Sequence, residues 1–180
     1  LMNRSLGVIG YEILDCTGEG TFGTVYRAKQ KSTGQITAIK VLKENVRNDI
    51  SYERRKARFL RETQVCAALR HPYIVQILDQ GSTKDELLYA VFEFVEGETL
   101  QNLLKRKGAL PIRQLKIIMS QVLEALAYAH QKGIIHRDLK PGNIMVHSIQ
   151  DHTYAKILDF GMGGILEESG VDYQTLTLPS

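Results

Sequence analysis

The stretch HRDLKPGN, His136 to Asn143, sets an imidazole, two cations, a carboxylate and an amide side by side within eight positions. In an ordinary surface loop the Gly, Pro and Asn would make the turn and the charges would stay solvated. What surrounds the stretch decides between that reading and a chemical one. Before it, IRQLKIIMSQVLEALAYAHQKG opens after Pro111 and stops at Gly133, with Leu115, Ile118, Val122, Leu126 and Ala129 at helical spacing. After it, AKILDFGMGG brings Asp159, Phe160 and Gly161 to the end of a hydrophobic strand. The charged stretch therefore connects a core helix to an apolar strand.

Further out, the first half of the chain reads as strands. YEILDC, GTVYRAKQ and, after the turn KSTGQ, ITAIKVL predict three antiparallel strands between Tyr11 and Leu42. From Ser51 to Leu69 the period becomes helical, with Phe59, Leu60, Thr63, Ala67 and Leu69 near one side and His71-Pro72 as the stop. YIVQILDQ and LLYAVFEFV, parted by the polar GSTKDE, predict two more strands. EGE then opens a short helical segment ahead of Pro111. Neither an internal repeat nor a low-complexity linker interrupts this order.

Composition bounds the function class. A chain of 180 residues suffices for one sizeable core or two small lobes. Lys and Arg number 23 against 20 for Asp and Glu, and a formal charge of +3 does not argue for nucleic acid as a partner. Much of the basic excess sits in YERRKARFLR, read as a solvated helix face. Cys16 and Cys66 cannot build a disulfide framework, and both lie in apolar local patterns that predict packing in a reducing, cytoplasmic compartment. No apolar run approaches a membrane span, and LMNRSLGVIG lacks the core of a secretory signal.

Two motifs point toward phosphate. GEGTFGTV supplies Gly18, Gly20, Gly23 and Val25, where missing Cβ atoms let backbone N–H groups approach an anion. A strand follows these glycines, whereas a dinucleotide fingerprint needs a helix there. TAIKVL places Lys40 among apolar neighbours; a solvated outward lysine is the ordinary reading, and a phosphate ligand the functional one. An ammonium used that way needs an acid to hold it, and Glu62 in FLRETQVCAAL is suitably placed on the following helix, although it equally suits local pairing with Arg58.

Taken in order, the glycine loop, AIK, the helix glutamate, HRDLKPGN and DFG resemble the eukaryotic-type Ser/Thr protein kinases, with phrases such as EFVEGETL similar to bacterial members. The resemblance covers nearly the whole chain from Tyr11. It implies an α+β, protein kinase-like fold: residues 1–95 as a five-stranded antiparallel lobe with one helix and the hinge, and residues 96–180 as the first, mainly helical, part of a second lobe. It also implies an ATP- and Mg²⁺-dependent (or Mn²⁺-dependent) transfer of the γ-phosphate to a protein Ser or Thr hydroxyl, with autophosphorylation as one outcome. On the kinase pattern Asp138 orients the hydroxyl and accepts its proton, Lys140 steadies the transferring phosphoryl group, Lys40 and Glu62 hold the phosphates, and Asn143 and Asp159 carry metal. Lysine at position 140, two after Asp138, is the Ser/Thr form of the loop.

Val25, Ala38 and Met145 match the residues that sandwich adenine, Phe92 the gatekeeper, and Glu93 to Val95 the hinge; core packing is the competing reading for each. Cys66, Ile77, His136 and Phe160 match an internal hydrophobic column, so His136 is expected to be packed rather than catalytic. Thr175 and Thr177 in QTLTLPS resemble activation-segment phosphosites, with Arg137 the cation that would engage them. The APE motif and the later helices of the large lobe have no counterpart before Ser180, so a longer protein is expected, with the rest of that lobe and any sensor domain outside this chain. An ATP-binding sensor or scaffold without phosphate transfer is the alternative, and small-molecule phosphotransfer on the same fold a third reading.

Overall fold

A computed structural model describes residues 7–19, 23–42, 50–149, 152–158 and 160. Strands β1 (Tyr11–Glu19), β2 (Gly23–Gln30) and β3 (Ile36–Leu42) are followed by helix α1 (Ile50–Ala68), then β4 (Ile77–Ser82) and β5 (Leu88–Glu93). The five strands form one antiparallel sheet in the order β1-β2-β3-β5-β4. Both faces of its centre are covered, which is why β5 reads as an unbroken apolar run instead of alternating. Tyr89 and Val91 join Val8, Tyr11, Ala28, Ile39 and Val41 in a small cluster on one face. Leu88, Ala90 and Phe92, with Leu42, enter the larger core on the other.

α1 contributes Phe59, Thr63 and Cys66 to the interior, an i, i+4, i+7 stripe that Leu69 continues just past its end. That stripe lies beside the expected one: Leu60 is 40% exposed and Ala67 is exposed, while Cys66 takes the interior place. Cys16, expected to pack, is exposed, because β1 continues to Glu19 and carries it along an edge strand. Cys66 is buried as predicted.

The second half contains α2 (Leu100–Lys107), α3 (Ile112–Gln131) and a three-stranded antiparallel sheet of β6 (Glu98–Thr99), β7 (Ile144–Ile149) and β8 (His152–Ile157). Thr99 caps α2, its Oγ1 accepting the Asn102 N–H at 3.2 Å, and Gly108 ends the helix at φ 72°. α3 begins directly after Pro111 and closes before Gly133, also at φ 72°, as its sequence predicts. Its Gln121 serves β8 as a substitute edge strand, donating Nε2–H to the Thr153 carbonyl at 3.0 Å and accepting the Ala155 N–H at 2.6 Å. Among the described residues no helix is long and apolar enough to cross a membrane.

One boundary moves with consequence. YIVQILDQ was expected as a strand throughout, yet pairing with β5 starts only at Ile77. Residues 73–75 instead bind β8: the Ile157 N–H reaches the Tyr73 carbonyl at 2.8 Å and the Val75 N–H reaches the Ile157 carbonyl at 2.9 Å. Ile74 and Val75 are buried, so their backbone groups need partners, and β8 provides them. This short parallel contact joins the two sheets.

Candidate active site

The segment from His136 to Asn143 runs between α3 and β7 and is shaped from its ends inward. His136 is 2% exposed, with Nε2 2.9 Å from the Leu158 carbonyl and its ring edge-on to Phe160 at a centroid distance of 4.8 Å. A carbonyl only accepts, so Nε2 carries the proton and Nδ1 is left to accept the Asp138 N–H at 3.3 Å. Imidazole thus fixes the loop from below and takes no position at the surface, as expected. Cys66 Sγ donates to the Phe160 carbonyl at 3.2 Å, which brings α1 to the same point, while Ile77 packs against the same core.

Arg137 is forced into the left-handed region at φ 64°, and the Asp138 N–H bonds the His136 carbonyl at 2.9 Å across it. Such a three-residue turn at positive φ is the rarer, strained form, costing on the order of 1–3 kcal/mol for a residue with a Cβ. Its effect is to turn Asp138 out beside Lys140 and Asn143. Lys140 Nζ donates to Asp138 Oδ2 at 2.7 Å, and Asn143 Nδ2 donates to the Asp138 carbonyl at 2.8 Å and to Oδ2 at 3.3 Å. The hydrogen bond from Lys140 is the largest of the influences that hold the Asp138 carboxyl below its usual range, so it stays ionised.

Asn143 is itself held by backbone, its N–H on the Lys140 carbonyl and its own carbonyl accepting the Leu158 N–H at 2.8 Å. With Nδ2 turned to Asp138, the amide oxygen remains as a hard, neutral ligand of the kind Mg²⁺ accepts beside carboxylate, water and phosphate oxygens. Its expected companion Asp159, next along the chain from Leu158, lies outside the described residues, as do Gly20, Thr175, Thr177 and the side chain of Glu62. The backbone of Glu62 falls within α1.

Across the first sheet, Lys40 on β3 stands half-buried between Val25 on β2 and Ala90 on β5, with Ala38 opposite Phe92. Ala38 and Val95 pack against the larger core, and Met145 lies half-buried on β7. The glycines divide. A Cβ at Gly23 would meet the Val41 carbonyl oxygen at 2.5 Å, so that glycine is required by the packing of β2 on β3. Gly18 has open space where a Cβ would stand, and among the described glycines of this loop the sequence argument from close approach to an anion applies there alone.

Sequence reasoning missed the groups around Glu93. Its carboxylate Oε1 accepts the Gln76 N–H at 2.8 Å and a hydrogen bond from Lys156 Nζ at 2.6 Å, so Glu93 points its charge inward, toward β8. The available signal was Lys156 itself, a cation inside the apolar run YAKIL.

A family model described as protein kinase domain matches residues 11–178. The chain is 37% identical over 171 residues to the serine/threonine-protein kinase PrkC of Bacillus subtilis, covering 94% of this chain and 25% of that protein. It is 36% identical over 168 residues to the serine/threonine-protein kinase PknB of Mycobacterium leprae, with 92% and 26% covered. To the serine/threonine-protein kinase pkn3 of Myxococcus xanthus the identity is 39% over 160 residues, with 88% and 29% covered. The chain spans only about a quarter of the length of these relatives.

Proposed function

Because the chain belongs to the protein kinase family, we propose that it is the ATP-handling part of a Ser/Thr protein kinase, transferring the γ-phosphate of ATP to a protein Ser or Thr hydroxyl. On this reading residues 1–95 form the nucleotide-binding lobe and hinge, and residues 96–180 the beginning of the second lobe. The observation that supports it most is the cluster of Asp138, Lys140 and Asn143, in which a carboxylate kept ionised by a lysine stands beside an amide whose nitrogen is turned toward it. The names of the relatives, all serine/threonine-protein kinases, agree with the Ser/Thr form of the loop.

The substrate hydroxyl would donate its hydrogen bond to Asp138 as its oxygen attacks the γ-phosphorus. A new O–P bond forms while the bond to the β,γ-bridging oxygen breaks, ADP leaves with that electron pair, and the hydroxyl proton passes to Asp138. Lys140, 2.7 Å from the carboxylate, would share its charge with the equatorial phosphoryl oxygens. Asn143 and Asp159 would hold Mg²⁺, which when bound neutralises the phosphate oxygens. Lys40, with Glu62, would hold the α- and β-phosphates, the glycine loop would cover them, and Val25, Ala38, Met145 and the backbone of Glu93 to Val95 would receive adenine. These roles mainly position groups and supply fixed charge, as the reaction demands.

Labelled ATP with Mg²⁺ and a general protein acceptor, followed by phosphoamino-acid analysis, tests the reading in the full-length protein. Label on Ser and Thr, absent in Asp138→Ala, is expected. Label on Tyr alone would overturn the Ser/Thr assignment. Nucleotide binding with no transfer would favour a sensor or scaffold.

A further inference from the structure

Three backbone segments meet at Glu93. It is the last residue of β5, where the hinge begins, and it is latched twice to Gln76: its N–H bonds the Gln76 carbonyl at 2.9 Å, and its Oε1 accepts the Gln76 N–H at 2.8 Å. Gln76 ends the segment 73–76, whose Tyr73 and Val75 are bonded to Ile157 on β8. Lys156, the neighbour of Ile157, closes the triangle by placing Nζ 2.6 Å from the same Oε1. Glu93 and Lys156 side chains are only 26% and 27% exposed, so the pair is shielded more than a surface ion pair and holds a more defined geometry.

The position of this triangle gives it a consequence for catalysis. One corner is the start of the segment that would bind adenine. Another is β8, beyond whose end the Leu158 N–H is bonded to the Asn143 carbonyl and the sequence reaches Asp159, three positions past Lys156. A rigid link between these corners fixes the distance between the base end and the metal end of one bound nucleotide. We propose that Lys156 is a positioning residue for phosphoryl transfer, acting through Glu93 to hold the hinge in register with the strand that leads to the metal-binding residues. The inference rests on the kinase reading above.

Without the ammonium, adenine would still find the hinge, but the phosphates would sit in variable register with Asp138, a defect felt in the transition state more than in ground-state binding. In the full-length protein, Lys156→Met is expected to lower kcat about tenfold while the dissociation constant for ATP-Mg²⁺ stays within about threefold, and Lys156→Arg to recover most of the loss. Glu93→Gln should lower kcat similarly, and the double variant should fall no further than the worse single one. Should Lys156→Met fail to fold, Lys156→Gln carries the same test. A kcat within twofold of wild type on removing the charge, a loss that arginine does not recover, or losses that multiply in the double variant would each overturn the proposal. Wild-type transfer abolished by Asp138→Ala shows that the kinase reading stands, so that these outcomes judge Lys156 alone; wild-type transfer that survives Asp138→Ala counts against that reading instead.

Discussion

Phe160→Ala should be among the most damaging single changes in the described structure. The ring is 1% exposed, meets the edge of His136 at 4.8 Å between centroids, and its residue's carbonyl takes the Cys66 thiol at 3.2 Å. Losing a buried aromatic side chain removes its transfer free energy and leaves a cavity that its neighbours fill only in part, a loss of about 3–5 kcal/mol. The neighbours here are poorly able to collapse: His136 is fixed through both ring nitrogens, and Cys66 is anchored on α1. Against a typical total of about 5–15 kcal/mol that is about a fifth of the stability or more. Urea unfolding followed by circular dichroism, compared with Phe160→Leu at about 1–1.5 kcal/mol, reads the difference directly. A loss below about 1 kcal/mol for Phe160→Ala would show that the ring does not hold His136 and the loop that follows it.

Lys140→Met should raise the Asp138 pKa, since the lysine is the main cause of its lowering. The ionised carboxylate contributes above the usual carboxylate range and its contribution is lost as pH falls through the lowered pKa, so the variant should lose activity at a higher pH than wild type on the acid side; carboxyl NMR titration checks the shift. Gly97→Ala should cost about 2–3 kcal/mol in denaturant unfolding, because Gly97 sits at φ 110° and a Cβ would meet the Val146 carbonyl oxygen at 2.2 Å. A variant as stable as wild type would mean that β7 does not approach the chain there. Gln121→Ala should cost about 2 kcal/mol by leaving the Ala155 N–H and Thr153 carbonyl without their partner, and should speed amide exchange at Ala155.

How much of this was legible in the sequence depended on whether local pattern or distant partners decided the outcome. ITAIKVL and GTVYRAKQ were read to their ends because turn residues bound them on the page, and α3 because Pro111 and Gly133 mark its limits. YIVQILDQ was misjudged at its start, since the partner of Ile74 and Val75 is β8, more than eighty residues on, and no local pattern announces it. β6 is likewise hidden by its distant partner β7, whereas β7 and β8 form a local hairpin that the sequence reading passed over. Cys16 was assigned to the interior on apolar neighbours and Leu60 to the packed side on helical period, but which face of an edge strand or helix is covered depends on what packs there. In the site, motif order identified Asp138, Lys140 and Asn143, which the structure brings within hydrogen-bonding distance. The inward turn of Glu93 toward Lys156 required coordinates, because it joins residues from two sheets.

Whether Asp138 serves the transfer step and not nucleotide binding is decided by single-turnover phosphate transfer measured beside ATP-Mg²⁺ affinity for wild type and Asp138→Asn. With Asp138→Asn the transfer rate should fall by about a hundredfold or more, with affinity changed less than about threefold. Equal loss of affinity and rate, or transfer that survives the substitution, would contradict that role.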